Sequence, residues 1–398
     1  MKKLYPLALF MLLFVQFSIA NDFRVVGYLP YYRFSLSDQI AYEKLTHLCL
    51  AFANPDMDGN LDIGGQDITP IVQAAHAEDV EVLISLAGGA LTPAWASAWA
   101  TLTQPLNRSD FIHKIIQYTL DHNLQGVDVD LEWSHVDHNY SGFVLELRDS
   151  IDAHGLLMTA ALPGTYRYPE ISDAAMFSYD FINMMVYDLT GPWAPNNPGP
   201  HSPYSFAQNA ITYWTQQGMA PEDLTLGVPF YGYDFADQND VHSVTYGSMV
   251  ALDPAYAQLD QVGEAYYNGI PTIQAKTELA LDELSGIMIW ELGQDAFNEY
   301  SLLNVIDETI NGITATEELA AYGVQYSPNP FRQQLRLQSE ESEAIQMQLL
   351  DASGRVLKTG QLPGQSSMEW NTHDLRAGFY VLRLIGSRGI HTVKLIKS

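Results

Sequence analysis

Cysteine is nearly absent. Cys49 stands alone among 398 residues, which excludes an intramolecular disulfide. Its setting, His47-Leu48-Cys49-Leu50-Ala51-Phe52, reads as a buried strand, so the thiol is expected to be an inert core group. Basic residues are also scarce: 19 Lys and Arg face 47 Asp and Glu, for a formal net charge of −28. The segment from 324 onward is nearly balanced, so the deficit falls on residues 21–312. A surface of that sign repels nucleic acid and anionic membranes and suits a neutral partner, and it also keeps an exported protein soluble. No glycine-rich phosphate loop follows the first strand pattern, which argues against a dinucleotide-binding sheet. No internal repeat or low-complexity tract occurs. Past the N-terminus, no run is apolar enough to cross a bilayer.

What is present begins with an export signal. Lys2 and Lys3 precede an apolar stretch from Leu4 to Phe17, and Ser18-Ile19-Ala20 offers small residues for cleavage, so residues 1–20 are read as a signal peptide. From Phe23, eight apolar β-rich runs (24–29, 47–53, 80–86, 126–132, 156–162, 181–187, 224–230 and 285–290) alternate with helical patterns at 68–78, 142–153, 205–217, 273–283 and 298–310. The clearest helix puts Phe111, Ile112, Ile115, Ile116 and Leu120 on one face, with Ser109 as its expected cap. Eight β–α units in succession predict an α/β fold, a closed (β/α)8 TIM barrel over 21–312. Residues 313–323 read as a linker. From 324 to 398 the period becomes two, as in Leu335-Arg336-Leu337-Gln338 and Tyr380-Val381-Leu382-Arg383-Leu384, which predicts a small antiparallel β-sandwich.

The most informative segment is Gln125-Gly126-Val127-Asp128-Val129-Asp130-Leu131-Glu132-Trp133. Carboxylates alternate with aliphatics. On a strand, alternate residues share a face, so Asp128, Asp130 and Glu132 should point into the barrel, spaced roughly 6.5 Å apart. Mutual repulsion and partial burial should keep at least one protonated. A carboxylic acid that retains its proton near neutral pH is what general-acid cleavage of a glycosidic bond requires. Glu132 lies at the C-terminal end of the strand, where barrel active sites sit. A Ca2+ loop is the competing reading, but the aliphatic fillers favour a strand. An exposed polar edge strand is another.

The segment resembles the DxxDxDxE signature of family 18 glycoside hydrolases, the chitinase family. Further motifs of that family occur in order across residues 23–310: Val26-Gly27-Tyr28, Ser85-Leu86-Ala87-Gly88-Gly89, Met185-Val186-Tyr187-Asp188, Gly191-Pro192-Trp193 with His201-Ser202-Pro203, Gly227-Val228-Pro229-Phe230-Tyr231-Gly232, and Gly286-Ile287-Met288-Ile289-Trp290-Glu291. The resemblance implies substrate-assisted, retaining hydrolysis of β-1,4 bonds beside N-acetylglucosamine. It implies Glu132 as acid and base, Asp130 as orienter of the acetamido group, and Asp128 behind it sharing a proton. Tyr187 would donate to the acetamido oxygen. Tyr28 and Ser85 would steady Asp128, Asp188 would contact the −1 sugar, Trp290 would floor it, and Met185, Tyr231 and Trp193 complete the substrate-binding set. Trp95, Trp99 and Trp133 could extend a stacking platform or be packing. No metal and no cofactor is implied.

Three departures stand out. Gln125 occupies the place of the usual first Asp, Tyr233 stands where many members carry Arg, and 233–285 is short for the inserted lobe of deep-cleft chitinases. The Arg replacement suggests a lost contact to Asp188 or substrate, and the short insertion suggests a shallow groove. The C-terminal piece resembles the sorting domain of the type IX secretion system of Bacteroidetes-like bacteria, through Tyr326-Ser327-Pro328-Asn329-Pro330-Phe331, Leu349-Leu350-Asp351-Ala352-Ser353-Gly354 and Leu375-Arg376-Ala377-Gly378-Phe379-Tyr380. That implies a partner in the secretion machinery and a location outside the cell or on its outer surface; a small carbohydrate-binding sandwich is the alternative. For the barrel the alternatives are an endo-β-N-acetylglucosaminidase acting on N-glycans and a family member that only binds sugar.

Overall fold

The computed structural model describes residues 23–321 and 324–397, except 328–330, 341–343, 352–354, 374, 377 and 387–388. The expected signal peptide lies outside the described residues, as do parts of the sorting-domain motifs at 328–330, 352–354 and 377.

Eight parallel strands close on themselves: β1 (Arg24–Pro30), β2 (His47–Pro55), β3 (Glu81–Ala87), β4 (Gly126–Asp130), β5 (Leu157–Pro163), β6 (Phe181–Met185), β7 (Leu224–Pro229) and β8 (Gly286–Trp290). Each pairs with its neighbours in sequence, and β1 pairs with both β2 and β8, which shuts the barrel. The period-two rule sorts their side chains. Val25, Leu29, Leu48, Leu50, Val82, Ile84, Val127, Val129, Ile287 and Ile289 face outward into the helical layer. Val26, Tyr28, Cys49, Ala51, Leu83, Ala161, Phe181 and Met288 fill the interior. Cys49 is a free, buried thiol of this inner cluster. Burying both faces of each strand explains the near-continuous apolar runs.

The helical layer departs from expectation in instructive places. The helix Arg108–Asp121 begins at Asn107, without a side-chain cap bond, so Ser109 lies inside the first turn and does not cap it. Its buried face is Phe111, Ile112, Ile115, Ile116 and Thr119, while Leu120 is largely exposed. A 100° step per residue carries Leu120 off the stripe and Thr119 onto it, and the Thr119 hydroxyl is satisfied by the Ile115 carbonyl at 2.9 Å. The helix Pro93–Leu102, unforeseen, starts with Thr92 accepting from the Trp95 N–H and Pro93 in the first turn. The last barrel helix runs Leu302–Ala321, so the stretch read as a linker is largely helical. Its composition, Thr-Ala-Thr-Glu-Glu-Leu-Ala-Ala, contains strong helix formers.

After β7 the chain builds a compact insertion: the antiparallel strands His242–Thr245, Tyr231–Asp234, Ala265–Tyr266 and Gln261–Val262, with the short helix Tyr246–Leu252. The C-terminal unit holds a three-stranded antiparallel sheet (Val324–Ser327, Gln334–Ser339, Ser367–Asn371) and a four-stranded one (Val356–Leu362, Ile345–Asp351, Gly378–Gly386, Gly389–Lys397). Leu335 and Leu337 of the first share one core with Met347, Leu349, Leu382 and Leu384 of the second. That is the expected sandwich.

Candidate active site

β4 sets the site. Asp128 and Asp130 sit on its inner face, and Glu132 follows two residues past the strand with backbone still extended (φ −126, ψ 163). The pleat therefore places all three on the barrel interior, while Val127, Val129 and Leu131 pack outward.

Asp128, at the bottom, is fully buried and caged by hydroxyls. Ser85 and Thr159 donate at 2.6 Å each and Tyr28 at 2.9 Å. Register explains two of these, because Ser85 and Thr159 are the cross-strand partners of Asp128 on β3 and β5. The Tyr28 hydroxyl in turn accepts from Asn183 Nδ2 at 3.0 Å, and Asn183 Oδ1 accepts from Thr225 at 2.7 Å. Burial raises the Asp128 carboxyl above its ordinary value, and the hydroxyls pull it back.

Asp130, one layer up, is buried without such help. Among the described residues its Oδ1 has no hydrogen-bond partner. Burial, then the charges of Glu132 and Asp128, raise its carboxyl well above the ordinary 3.8. Glu132 stands at the rim. Burial, then the Asp188 charge, lifts it from 4.5 to about 7. Gly89 makes room for it: a Cβ there would come within 2.5 Å of Glu132 Oε1.

These groups open into a cavity of about 320 Å3, whose lining includes the polar Asp130, Glu132, Tyr187 and Asp188 and the aromatic Phe52, Trp95 and Trp290. Trp290 stacks on Phe52 (centroids 5.5 Å apart, 23° between planes) and meets the edge of Tyr28. Met185 lines the wall. The Tyr187 hydroxyl points at the Met288 sulfur, 3.8 Å away, a weak acceptor. Asp188, in a left-handed conformation (φ 66), accepts on Oδ1 from Tyr231 at 2.6 Å and Tyr233 at 3.0 Å. His201 Nδ1 lies 3.3 Å from both its backbone N–H and its carboxylate.

Residues 24–295 match the family model described as glycosyl hydrolases family 18, and 326–398 match the one described as secretion system C-terminal sorting domain. The chain belongs to glycosyl hydrolases family 18. Among solved structures, the GH18 chitinase ChiB from the chitin utilization locus of Flavobacterium johnsoniae is similar to it at 46% identity, covering 72% of this chain and 93% of that one (TM-score 0.71). A chitinase from Bacteroides thetaiotaomicron is similar at 30% identity, covering 72% of this chain and 96% of that one (TM-score 0.64). A chitinase-like effector of Moniliophthora roreri is 27% identical over 225 residues, which span 50% of this chain and 55% of that protein. The chain thus spans about half the length of the first curated relatives it matches. The sorting domain marks the protein for secretion or the outer cell surface. Among the described residues no helix is long and apolar enough to cross a membrane.

In this family 18 barrel the departures take physical form. Gln125 sits away from the carboxylates. Its Oε1 accepts from the Val82 N–H and meets His76 Nε2, each at 2.8 Å, tying β4 to its neighbour. Tyr233 makes the contact to Asp188 that its replacement of Arg was expected to forfeit. Trp99 is core, packed on Phe111 and Phe143, with its Nε1 donating to Asn54 Oδ1. Trp95 reaches the cavity; Trp193 and Trp133 are exposed, and neither lines it. Sequence reading missed Thr159, Asn183 and Thr225, each a lone polar residue in an apolar strand. It also missed Phe52, whose partner is Trp290.

Proposed function

We propose that the protein is an exported chitinase that hydrolyses β-1,4 bonds between N-acetylglucosamine units with retention, using Glu132 as acid and base and the substrate's own acetamido oxygen as nucleophile. The observation that carries this reading is a carboxylic acid at the mouth of the barrel, lifted to about 7 by burial and by the Asp188 charge, in a cavity that Trp290 also lines.

The geometry supports the following chemistry. The −1 sugar packs on Trp290. Its acetamido N–H donates to Asp130, whose Oδ1 lacks a partner among the described residues. Tyr187, whose hydroxyl among the described residues meets a thioether, donates to the acetamido oxygen. That oxygen attacks the anomeric carbon as the C1–O bond breaks, and the leaving oxygen takes the Glu132 proton. The oxazolinium positive charge is offset by Asp130, with Asp128 sharing a proton behind it. Glu132, now a carboxylate, takes a proton from water. The water oxygen opens the ring at C1, which returns the acid form and retains configuration. Asp188 contacts the −1 sugar. Met185 lines its pocket, and Tyr231, outside that lining, holds Asp188. No step calls for a cofactor. The relatives whose printed names say chitinase support chitin over N-glycans as substrate.

The domain plan fits this reading: a signal peptide at 1–20, the hydrolase barrel at 21–312, a connecting segment at 313–323 and a sorting domain at 324–398 that engages the secretion machinery. The deciding experiment is a product profile. Purified protein should release short N-acetylglucosamine oligomers from labelled chitooligosaccharides and leave a high-mannose glycoprotein intact. Deglycosylation of the glycoprotein with intact chitooligosaccharides would reassign it as an endo-β-N-acetylglucosaminidase.

A further inference from the structure

Among the described residues no hydrogen bond restrains the Glu132 carboxyl, which rests beside the bare face of Gly89. Its direction is therefore set by the main chain that carries it. That chain changes course here. Glu132 is extended (φ −126, ψ 163), and the next residue, Trp133, is left-handed (φ 57). A residue with a Cβ is disfavoured in that region, a bulky aromatic most of all, and such strain persists only where the surroundings enforce it. Packing of the indole does not enforce it, because Trp133 is 66% exposed. The main chain is tied instead: the Trp133 N–H donates to the Tyr168 hydroxyl at 3.0 Å. The short helical turn that follows is closed by His135 N–H on the Glu132 carbonyl at 3.1 Å and by Val136 N–H on the Trp133 carbonyl at 3.3 Å. It offers the Trp133 N–H no acceptor of its own, so that donor depends on Tyr168.

Tyr168 is itself firmly held. Its ring is buried in the main core and meets Tyr166 edge-on, with centroids 5.3 Å apart. Its carbonyl accepts from the Ile171 N–H at 3.0 Å. The preceding Arg167 donates its N–H to the Tyr213 hydroxyl and its Nε to the Ile171 carbonyl, each at 2.9 Å. Tyr168 lies outside the lining of the catalytic cavity. We propose that Tyr168 is a positioning residue: its hydroxyl, reaching across from the segment after β5, pins the Trp133 N–H and so holds the left-handed turn that aims the Glu132 carboxyl at the leaving oxygen. The inference rests on the assignment of Glu132 under the proposed function and adds the residue that aims it. Tyr168 acts through the main chain and touches neither the sugar nor the reacting atoms.

A double-mutant cycle on the full chain tests this. Tyr168→Phe removes one oxygen and keeps the ring. On a chitooligosaccharide it should lose roughly tenfold in kcat with KM changed less than about twofold, because the acid is misaimed while the sugar pocket is intact. The second arm relaxes the strain. Asn enters the left-handed region more readily than Trp, so a chain with Trp133→Asn needs the tether less. In that background Tyr168→Phe should cost less than about threefold relative to Trp133→Asn alone. A tyrosine with a merely structural role would cost the same factor in both backgrounds. Thermal unfolding is followed for every variant, and rates are read well below Tm. A folded Tyr168→Phe with the wild-type kcat overturns the proposal, as does an equal loss in the two backgrounds. A loss confined to KM would put Tyr168 on the substrate and overturn the main-chain route. Glu132→Gln is run in parallel: full activity there removes the underlying assignment, whereas an inactive Glu132→Gln beside a fully active Tyr168→Phe removes this inference alone.

Discussion

The floor of the barrel and its rim treat the same chemical group in opposite ways. At the floor, Asp128 meets three hydroxyls and a further Tyr28–Asn183–Thr225 chain, so its burial is compensated by donors. Two residues along the same face, Asp130 has an oxygen with no partner among the described residues, and two more along, Glu132 is held by burial and repulsion. The floor has the character of structure: its polar groups satisfy one another. The rim has unspent capacity, which costs stability and is available to a ligand. Function follows where the protein leaves its own groups unsatisfied.

That contrast can be broken most severely at the rim. Glu132→Gln should lower kcat by roughly 10³-fold while oligosaccharide binding, followed by calorimetry, changes little. Equal turnover by both proteins would refute the acid role; equally poor turnover would favour a sugar-binding function. Asp130→Asn comes next, at about 10²-fold in kcat, since the acetamide is less well oriented. It should also raise Tm, and the sign of its pH dependence is definite. The folded carboxyl is raised above its unfolded value of 3.8, so the penalty is absent below that value and grows as pH climbs toward the raised one. The Asn variant should therefore gain more over wild type at pH 8 than at pH 4. The smallest effect on rate is expected at the floor. Thr159→Val leaves a buried Asp128 oxygen without its 2.6 Å donor and should cost about 1–3 kcal/mol in urea unfolding, with kcat changed less than about tenfold. A large loss of turnover with unchanged stability would mean that the floor takes part in the chemistry directly.

How much of this the sequence displayed depends on periodicity. Three carboxylates at every second residue, with aliphatics between, declare their shared face, because a strand admits only two. A single Thr, as in Leu-Met-Thr-Ala-Ala-Leu, or the Asn of Phe-Ile-Asn-Met-Met, declares nothing until the register with β4 is known. Thr159 matters because it sits beside Asp128 across the ladder, and such pairing is a tertiary fact. Helix edges blurred for a related reason. Thr119 and Leu120 sit at the margin of an apolar stripe, where packing decides which residue turns inward. Trp95 and Trp99 share one helix, four residues apart, yet one reaches the cavity and the other donates to Asn54 in the core. Tyr233 read as a loss because its identity was compared with a cation, whereas its hydroxyl reaches the same carboxylate.

The rim's proton is the central claim, and a carboxyl titration reads it without turnover. The 13C resonance of the Glu132 side-chain carboxyl, assigned by its disappearance in Glu132→Gln, should titrate in the free enzyme with a midpoint of about 7. A midpoint at the ordinary glutamate value of 4.5 would mean that Glu132 is ionised throughout the working range, and the account of it as the resting acid would fail.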